Sequence, residues 1–150
     1  MLRLLILFIT TVSFSQDLEH LAKQDTIHIA LKNIHTSFST KYKGFEYIST
    51  VHANFSEYRI IEPDGKQIII HAAKSYPVLN LKRKKFLKEN SSNIIKLEYV
   101  EKIGVAKLFP QTLNVNSLRK IFFVFDERDL KKKYIKLKKV NVVAAVYDKI

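Results

Sequence analysis

Residues 121–147 read IFFVFDERDLKKKYIKLKKVNVVAAVY, and this stretch holds the two clearest strand patterns of the chain. The continuous apolar run Ile121–Phe125 is typical of a central strand. A second strand is predicted over 134–147, after a charged turn. Its apolar residues share one parity before Lys138-Lys139 and the other parity afterwards. A β-bulge at that point would restore their alignment, so we predict one there.

Further strands are predicted upstream of this stretch. Residues 26–32 alternate between apolar and other side chains, which predicts a half-buried strand with His28 facing solvent. Residues 45–55 form a second alternating strand, whereas 33–44 is rich in Ser, Thr and Lys and is predicted to be a loop. Glu62-Pro63-Asp64-Gly65 predicts a hairpin turn, because proline presets one backbone angle and glycine tolerates positive φ.

One helix is predicted between these strands and the C-terminal pair. The short polar side chains of 90–93 can cap a helix that runs to Phe109, with Gly104 weakening it and Pro110 ending it. Part of this segment, Ile95–Tyr99, fits a strand equally well. The predicted fold class is α+β, with an antiparallel sheet of about five or six strands and one main helix packed on a face.

The first fifteen residues have the three parts of a secretory signal peptide. Arg3 provides the positive start, residues 4–12 form the apolar core, and Ser13 and Ser15 supply the small residues of a cleavage site. The apolar core is about half of the roughly 20 residues that cross a bilayer. We therefore predict that residues 1–15 are removed. The signal resembles those of exported proteins from AT-rich Gram-negative bacteria.

Cleavage after Ser15 leaves residues 16–150, a length typical of a single domain. We expect this mature chain to be exported, with the periplasm favoured over the extracellular space, and to have no membrane span. The chain contains no cysteine. Disulfides, thiol catalysis and lipid attachment to a cysteine are therefore excluded, and packing must stabilise the domain.

The formal charge is +12, but only five of the 26 basic residues are arginine. Lysine is a hydrated point charge and lacks the planar fork with which arginine reads phosphates. Two clusters are candidates for an anion-binding surface, and a lipopolysaccharide-like polymer would bind them in a salt-dependent way. The alternative is two solvated turns whose charge keeps a sheet edge from pairing. The clusters comprise Lys82, Arg83, Lys84, Lys85 and Lys88, and Lys131, Lys132, Lys133, Lys136, Lys138 and Lys139.

The sequence offers no catalytic, cofactor-binding or metal-binding constellation. No serine lies in a nucleophile elbow, the three glycines are isolated, and the five histidines lack metal-ligand spacing. Nucleic acid is not expected, since the aromatic residues look like core rather than stacking platforms. We predict a non-enzymatic binding or accessory module of the cell envelope, whose partner is an envelope protein or an anionic polymer. The alternatives are a polyanion binder acting through the lysine clusters and a small hydrolase without a linear motif.

Overall fold

The computed structural model describes residues 18–108 and 120–146. The predicted signal peptide, residues 1–15, lies outside them and stays a prediction. Strands make up 51% of the structure and form a nine-stranded mixed sheet curled into a half-barrel, with small helices. The predicted fold class is therefore wrong, because the sheet is larger, is not purely antiparallel, and carries no single main helix.

The described elements follow one another closely along the chain. The strands are β1 (Thr26–Leu31), β2 (Phe38–Tyr42), β3 (Phe45–Val51), β4 (Phe55–Ile61), β5 (Lys66–Ala73), β6 (Val78–Lys82), β7 (Ile94–Lys96), β8 (Ile121–Asp126) and β9 (Tyr134–Val146). The helices are α1 (18–23), α2 (Arg83–Asn90), α3 (Leu97–Ile103) and α4 (Val105–Leu108). Short 3₁₀ turns cover Ser91–Asn93 and Glu127–Lys131.

The sheet runs in the order β2-β3-β4-β5-β9-β8-β1-β7, and β6 also pairs with β9. Pairing is antiparallel from β2 to β8, whereas β1 is parallel to both β8 and β7. The predicted turn between β4 and β5 is confirmed. Gly65 has φ of 91°, and its N–H donates to the Glu62 carbonyl at 3.0 Å.

Two segments differ from their predictions. The predicted loop 33–44 contains β2, whose Phe38 and Tyr42 pack against the core although the intervening side chains are polar. The predicted long helix is instead divided into a 3₁₀ turn, β7, α3 and α4, and its predicted end at Phe109 lies outside the described residues. The strand alternative, Ile95–Tyr99, is right for Ile95 and Lys96 and wrong for the last three residues, which begin α3. Gly104 separates α3 from α4 with φ of 90°, a conformation that favours glycine.

Apolar side chains lie on both faces of β1, β8 and β9. The larger core fills one face and includes Ile29, Val124 and Val142. The smaller core lies under α2 on the other face and consists of Ala30, Phe86, Phe125, Ile135 and Leu137. Because α2 covers this second face, the central strands are closed on both sides.

The two cores explain the change of parity in β9 without a bulge. Lys138, Lys139 and Val140 pair one to one with three consecutive residues of β8, so no extra residue is inserted. Ile135 and Leu137 belong to the smaller core, whereas Val140 and Val142 belong to the larger one. The predicted bulge is therefore wrong. β9 is a regular strand, and the apolar side chains of its first half pack into the smaller core whereas those of its second half pack into the larger core.

Candidate anion-binding surface

The fold brings the two lysine clusters to one end of the sheet. β6 pairs antiparallel with the first half of β9, so that Lys82 lies opposite Tyr134. The helix α2 follows β6 directly, and a 3₁₀ turn leads into β9. The Arg83 N–H donates to the Lys133 carbonyl at 3.0 Å, and Arg83 Nη1 donates to the Leu130 carbonyl at 3.0 Å. These two hydrogen bonds from Arg83 connect the first lysine cluster to the second.

Most of the net charge of the chain lies in these two segments. Residues 78–90 and 127–139 together hold twelve of the 26 basic side chains but only three of the 14 acidic ones. Their formal excess is therefore nine, out of +12 for the whole chain. A positive field concentrated at one end attracts anions to that end rather than to the molecule as a whole.

Helix α2 turns its lysines outward because its other side is apolar. Phe86 is buried against His28 and Phe125, with ring centroids 4.9 and 5.7 Å away. Lys84 and Lys85 precede this anchor on the opposite side of the helix and are exposed, as is Lys88. No ion pair involves these three lysines among the residues that the structure describes. Their charges are available to a ligand. We call Lys82, Lys84, Lys85, Lys88, Lys131 and Lys133 the basic end.

The first turn of α2 has none of the usual features that stabilise a helix start. The residue before the helix is Lys82, which makes no side-chain capping bond, and the first turn contains no acidic residue. The Arg83 N–H is bonded to the Lys133 carbonyl, but the helix dipole and the later N–H groups of the first turn favour an anion at this position. Four successive basic residues, 82–85, surround it instead.

Two buried aspartates hold the turn that presents the second cluster. Asp129 accepts hydrogen bonds from the Lys136 N–H at 3.2 Å and from Lys132 Nζ at 3.1 Å. Asp126 accepts from Arg128 Nε at 2.9 Å and Nη2 at 2.6 Å. Burial favours the neutral acid of Asp126, but the hydrogen bonds from Arg128 hold its pKa below the usual range. Lys132 therefore positions the turn, and it is less available to a ligand than its neighbours.

The remaining lysines of the second cluster are divided between the two faces of the sheet. Lys136 and Lys138 pair with Asn80 and Val78, and strand alternation places all four, with Lys82, on the face opposite α2. Lys139 has the other parity. The two predicted clusters therefore adjoin at the basic end but do not form one flat track.

Sequence reasoning missed the apolar side chains beside these lysines. All five residues of β6 are exposed, and Val78, Leu79 and Leu81 retain 54%, 43% and 38% of their accessible surface. Their signal in the sequence was the short apolar run after Pro77, next to a charged segment.

The histidines do not assemble a metal site. The prediction that His28 faces solvent is wrong, because α2 covers that face of β1 and leaves the side chain 5% exposed between Phe86 and Phe123. Burial lowers its pKa. His52 is exposed and stacks on Phe55. Across residues 18–108 and 120–146, no three His, Asp or Glu side chains cluster closely enough to hold a metal.

Ser92, which lines a cleft of about 470 Å³ beside β7, contacts His20, but the two do not form a catalytic pair. His20 Nε2 lies 3.1 Å from Ser92 Oγ and 2.9 Å from Asn93 Oδ1. The Asn93 amide donates to Gln24, so its oxygen faces His20 and requires a proton on Nε2. A protonated Nε2 has no lone pair with which to take the serine proton. This contact therefore gives the hydrolase alternative no support.

None of the helices within the described ranges is long and apolar enough to span a membrane. Comparison of the chain with protein-family models, with characterised proteins and with solved structures finds no match.

Proposed function

We propose that this protein is a non-enzymatic binding module of the cell envelope that holds an anionic polymer at its basic end. The observation that carries the proposal is the pair of hydrogen bonds from Arg83, which unite two charged segments that are distant in sequence. The envelope location rests on the predicted signal peptide.

The balance of charge supports a polymer rather than a small anion. The basic end presents six lysines on a helix, a strand end and a turn, and several are exposed without an ion pair among the described residues. Spread-out lysines neutralise successive charges along a chain, whereas a compact anion is better matched by a converging fork of arginines. Arg83 itself is occupied with backbone carbonyls of the turn.

The start of α2 supports the same reading. A helix that begins with three basic residues after an uncapped Lys82 forgoes stabilisation of about 1 kcal/mol that a capping side chain provides. Bound anionic groups at this position would be stabilised by the first-turn amides that follow Arg83 and by the neighbouring lysines.

The test is binding of heparin and of lipopolysaccharide micelles by two variants with equal net charge. In the first, Lys84, Lys85, Lys131 and Lys133 are replaced by Ala. In the second, the exposed lysines Lys41, Lys74, Lys102 and Lys107 are replaced instead. Because a lysine near an anionic surface contributes about 1 kcal/mol, we expect the first variant to bind at least about tenfold more weakly.

The control variant should bind within about twofold of the natural chain, and the binding it retains should weaken steeply with added salt. Both variants spare Lys132 and Arg83, which hold the turn, so both should keep their circular dichroism spectra. Equal losses in the two variants would show that only net charge matters, and would contradict a binding surface at the basic end.

A further inference from the structure

β6 is an edge strand whose second edge is open in the part of the chain that the structure describes. Within the described ranges it pairs with β9 alone, and all five of its residues are exposed. In an antiparallel pair, alternate N–H and C=O groups point away from the partner strand. The outer edge of β6 therefore presents unpaired backbone groups that can accept one more strand.

The two faces at this edge have different chemistry. Leu79 and Leu81 pair with Leu137 and Ile135, so they lie on the α2 face beside the smaller core. Val78, Asn80 and Lys82 lie on the other face, where Lys136 and Lys138 extend the charge across β9. At this edge, the α2 face of the sheet is thus apolar, and the opposite face carries the positive charge.

A second copy of this chain fits the edge poorly. Antiparallel pairing of two β6 strands would bring two molecules together at the ends that carry most of their +12 charge. Lysine and proline at sheet edges discourage such self-pairing, and Pro77 immediately precedes β6. The same lysines attract an acidic strand, so the charge selects a partner of opposite sign.

We propose that β6 accepts an extended segment of an acidic protein as an added strand, with acidic and apolar side chains alternating along it. The apolar side chains of the guest would contact Leu79 and Leu81, and its carboxylates would lie near Lys82 and Lys136. The inference goes beyond the proposed function: the guest strand shares Lys82 with the basic end, and the inference names the partner class of the open edge.

The probe is a fluorescent peptide that alternates Glu and Val over seven residues, compared with a peptide of the same composition in separate Glu and Val blocks. Only the alternating peptide places its valines on one face of a strand. By fluorescence anisotropy, we expect it to bind about tenfold more tightly than the block peptide, given the size of cross-strand contacts. Equal binding of the two peptides would overturn the inference.

Methylation of alternate backbone nitrogens of the peptide tests pairing directly. One of the two alternate patterns removes the donors that face β6, and it should abolish the preference for the alternating peptide, whereas the other should not. If neither pattern weakens binding, the guest does not add as a strand and the inference is wrong. Because this test changes only the peptide, it does not depend on whether a protein variant folds.

Replacing Leu79 and Leu81 by Ser should weaken the alternating peptide about fivefold and leave heparin binding unchanged. Val143→Ser is the matched control, because Val143 is also an exposed apolar residue but lies on the half of β9 that pairs with β5. Loss of peptide binding in the Val143→Ser control as well would contradict the assigned edge. If the protein binds heparin but does not prefer the alternating peptide, this inference is wrong and the proposed function stands. If it prefers the alternating peptide but does not bind heparin, the proposed function is wrong and this inference stands.

Discussion

Strands β5 and β6 lie one after the other along β9, yet one belongs to the core and the other to the surface. β5 pairs with residues 141–146 and β6 with residues 134–138. Ile68, Ile70 and Ala72 of β5 are almost completely buried, whereas every residue of β6 is exposed. The two strands share a partner and a direction, so pairing with β9 does not determine burial.

The difference in burial comes from what lies on the edge of each strand away from β9. β5 has β4 on its other edge and the larger core on one face, whereas β6 has no described strand beyond it. Val78, Leu79 and Leu81 therefore contribute little to folding in the position they occupy. Exposed apolar side chains beside a dense positive charge are typical of an interaction surface. The comparison separates β5, which stabilises the protein, from β6, which we propose binds a partner.

The largest expected effect is on stability, and it compares one residue from each strand. Ile70→Ala removes a fully buried side chain from the larger core and should lower the free energy of unfolding by about 3 kcal/mol. Leu81→Ala removes an exposed side chain from β6 and should cost less than about 1 kcal/mol. Urea unfolding measures both. Similar losses in the two variants would mean that β6 is part of the folding core.

A smaller, pH-dependent effect is expected at His28, on a strand closed on both faces. Burial lowers the pKa of His28 below its ordinary value of 6.5, so the folded state favours the neutral ring. The unfolded chain takes up the proton first as the pH falls, and the contribution of His28 to stability is therefore present above about pH 6.5 and lost below it. The free energy of unfolding should fall less between pH 7.5 and pH 5.5 in His28→Leu than in the natural chain.

His52→Gln is the control for this experiment, because His52 is exposed. It should keep the pH dependence of the natural chain. A His28→Leu variant with unchanged pH dependence would show that the ring does not titrate differently on unfolding.

Local patterns in the sequence identified several elements correctly. The apolar run Ile121–Phe125 is a central strand, and Pro63 and Gly65 form the turn between β4 and β5. These features depend on neighbouring residues, which a sequence displays directly. The strand β2 was not predicted, because its composition is polar. Its pairing with β3 and the packing of Phe38 and Tyr42 against the core outweigh that composition.

Two-sided burial could not be predicted from alternation alone. His28 and the change of parity in β9 both indicated a sheet with one solvated face, whereas α2 covers that face with Phe86. Nothing in the sequence near His28 encodes a helix 55 residues later. The predicted fold class, one helix on an antiparallel sheet, was wrong for a related reason. The strands that pair with β1 are distant in sequence, so their parallel pairing could not be predicted from local patterns.

The candidate surface was predictable in its charge but not in its shape. The lysines of 82–88 and 131–139 stand out in the sequence. Their meeting depends on the hydrogen bonds of Arg83 and on the register of β6 with β9, and the division between two faces depends on that same register. Residue types therefore suggested the proposed ligand class, whereas the place where we propose that such a ligand binds depends on the fold.

The most direct test of the basic end is a map of backbone amide chemical shifts in ¹⁵N-labelled protein during titration with a heparin hexasaccharide. We predict that the largest changes fall on residues 82–88 and 131–133, with little change at Ile70 in β5 or at Lys41 in β2. Changes spread evenly over all exposed lysines, or centred outside these two segments, would contradict a binding surface at this end of the sheet.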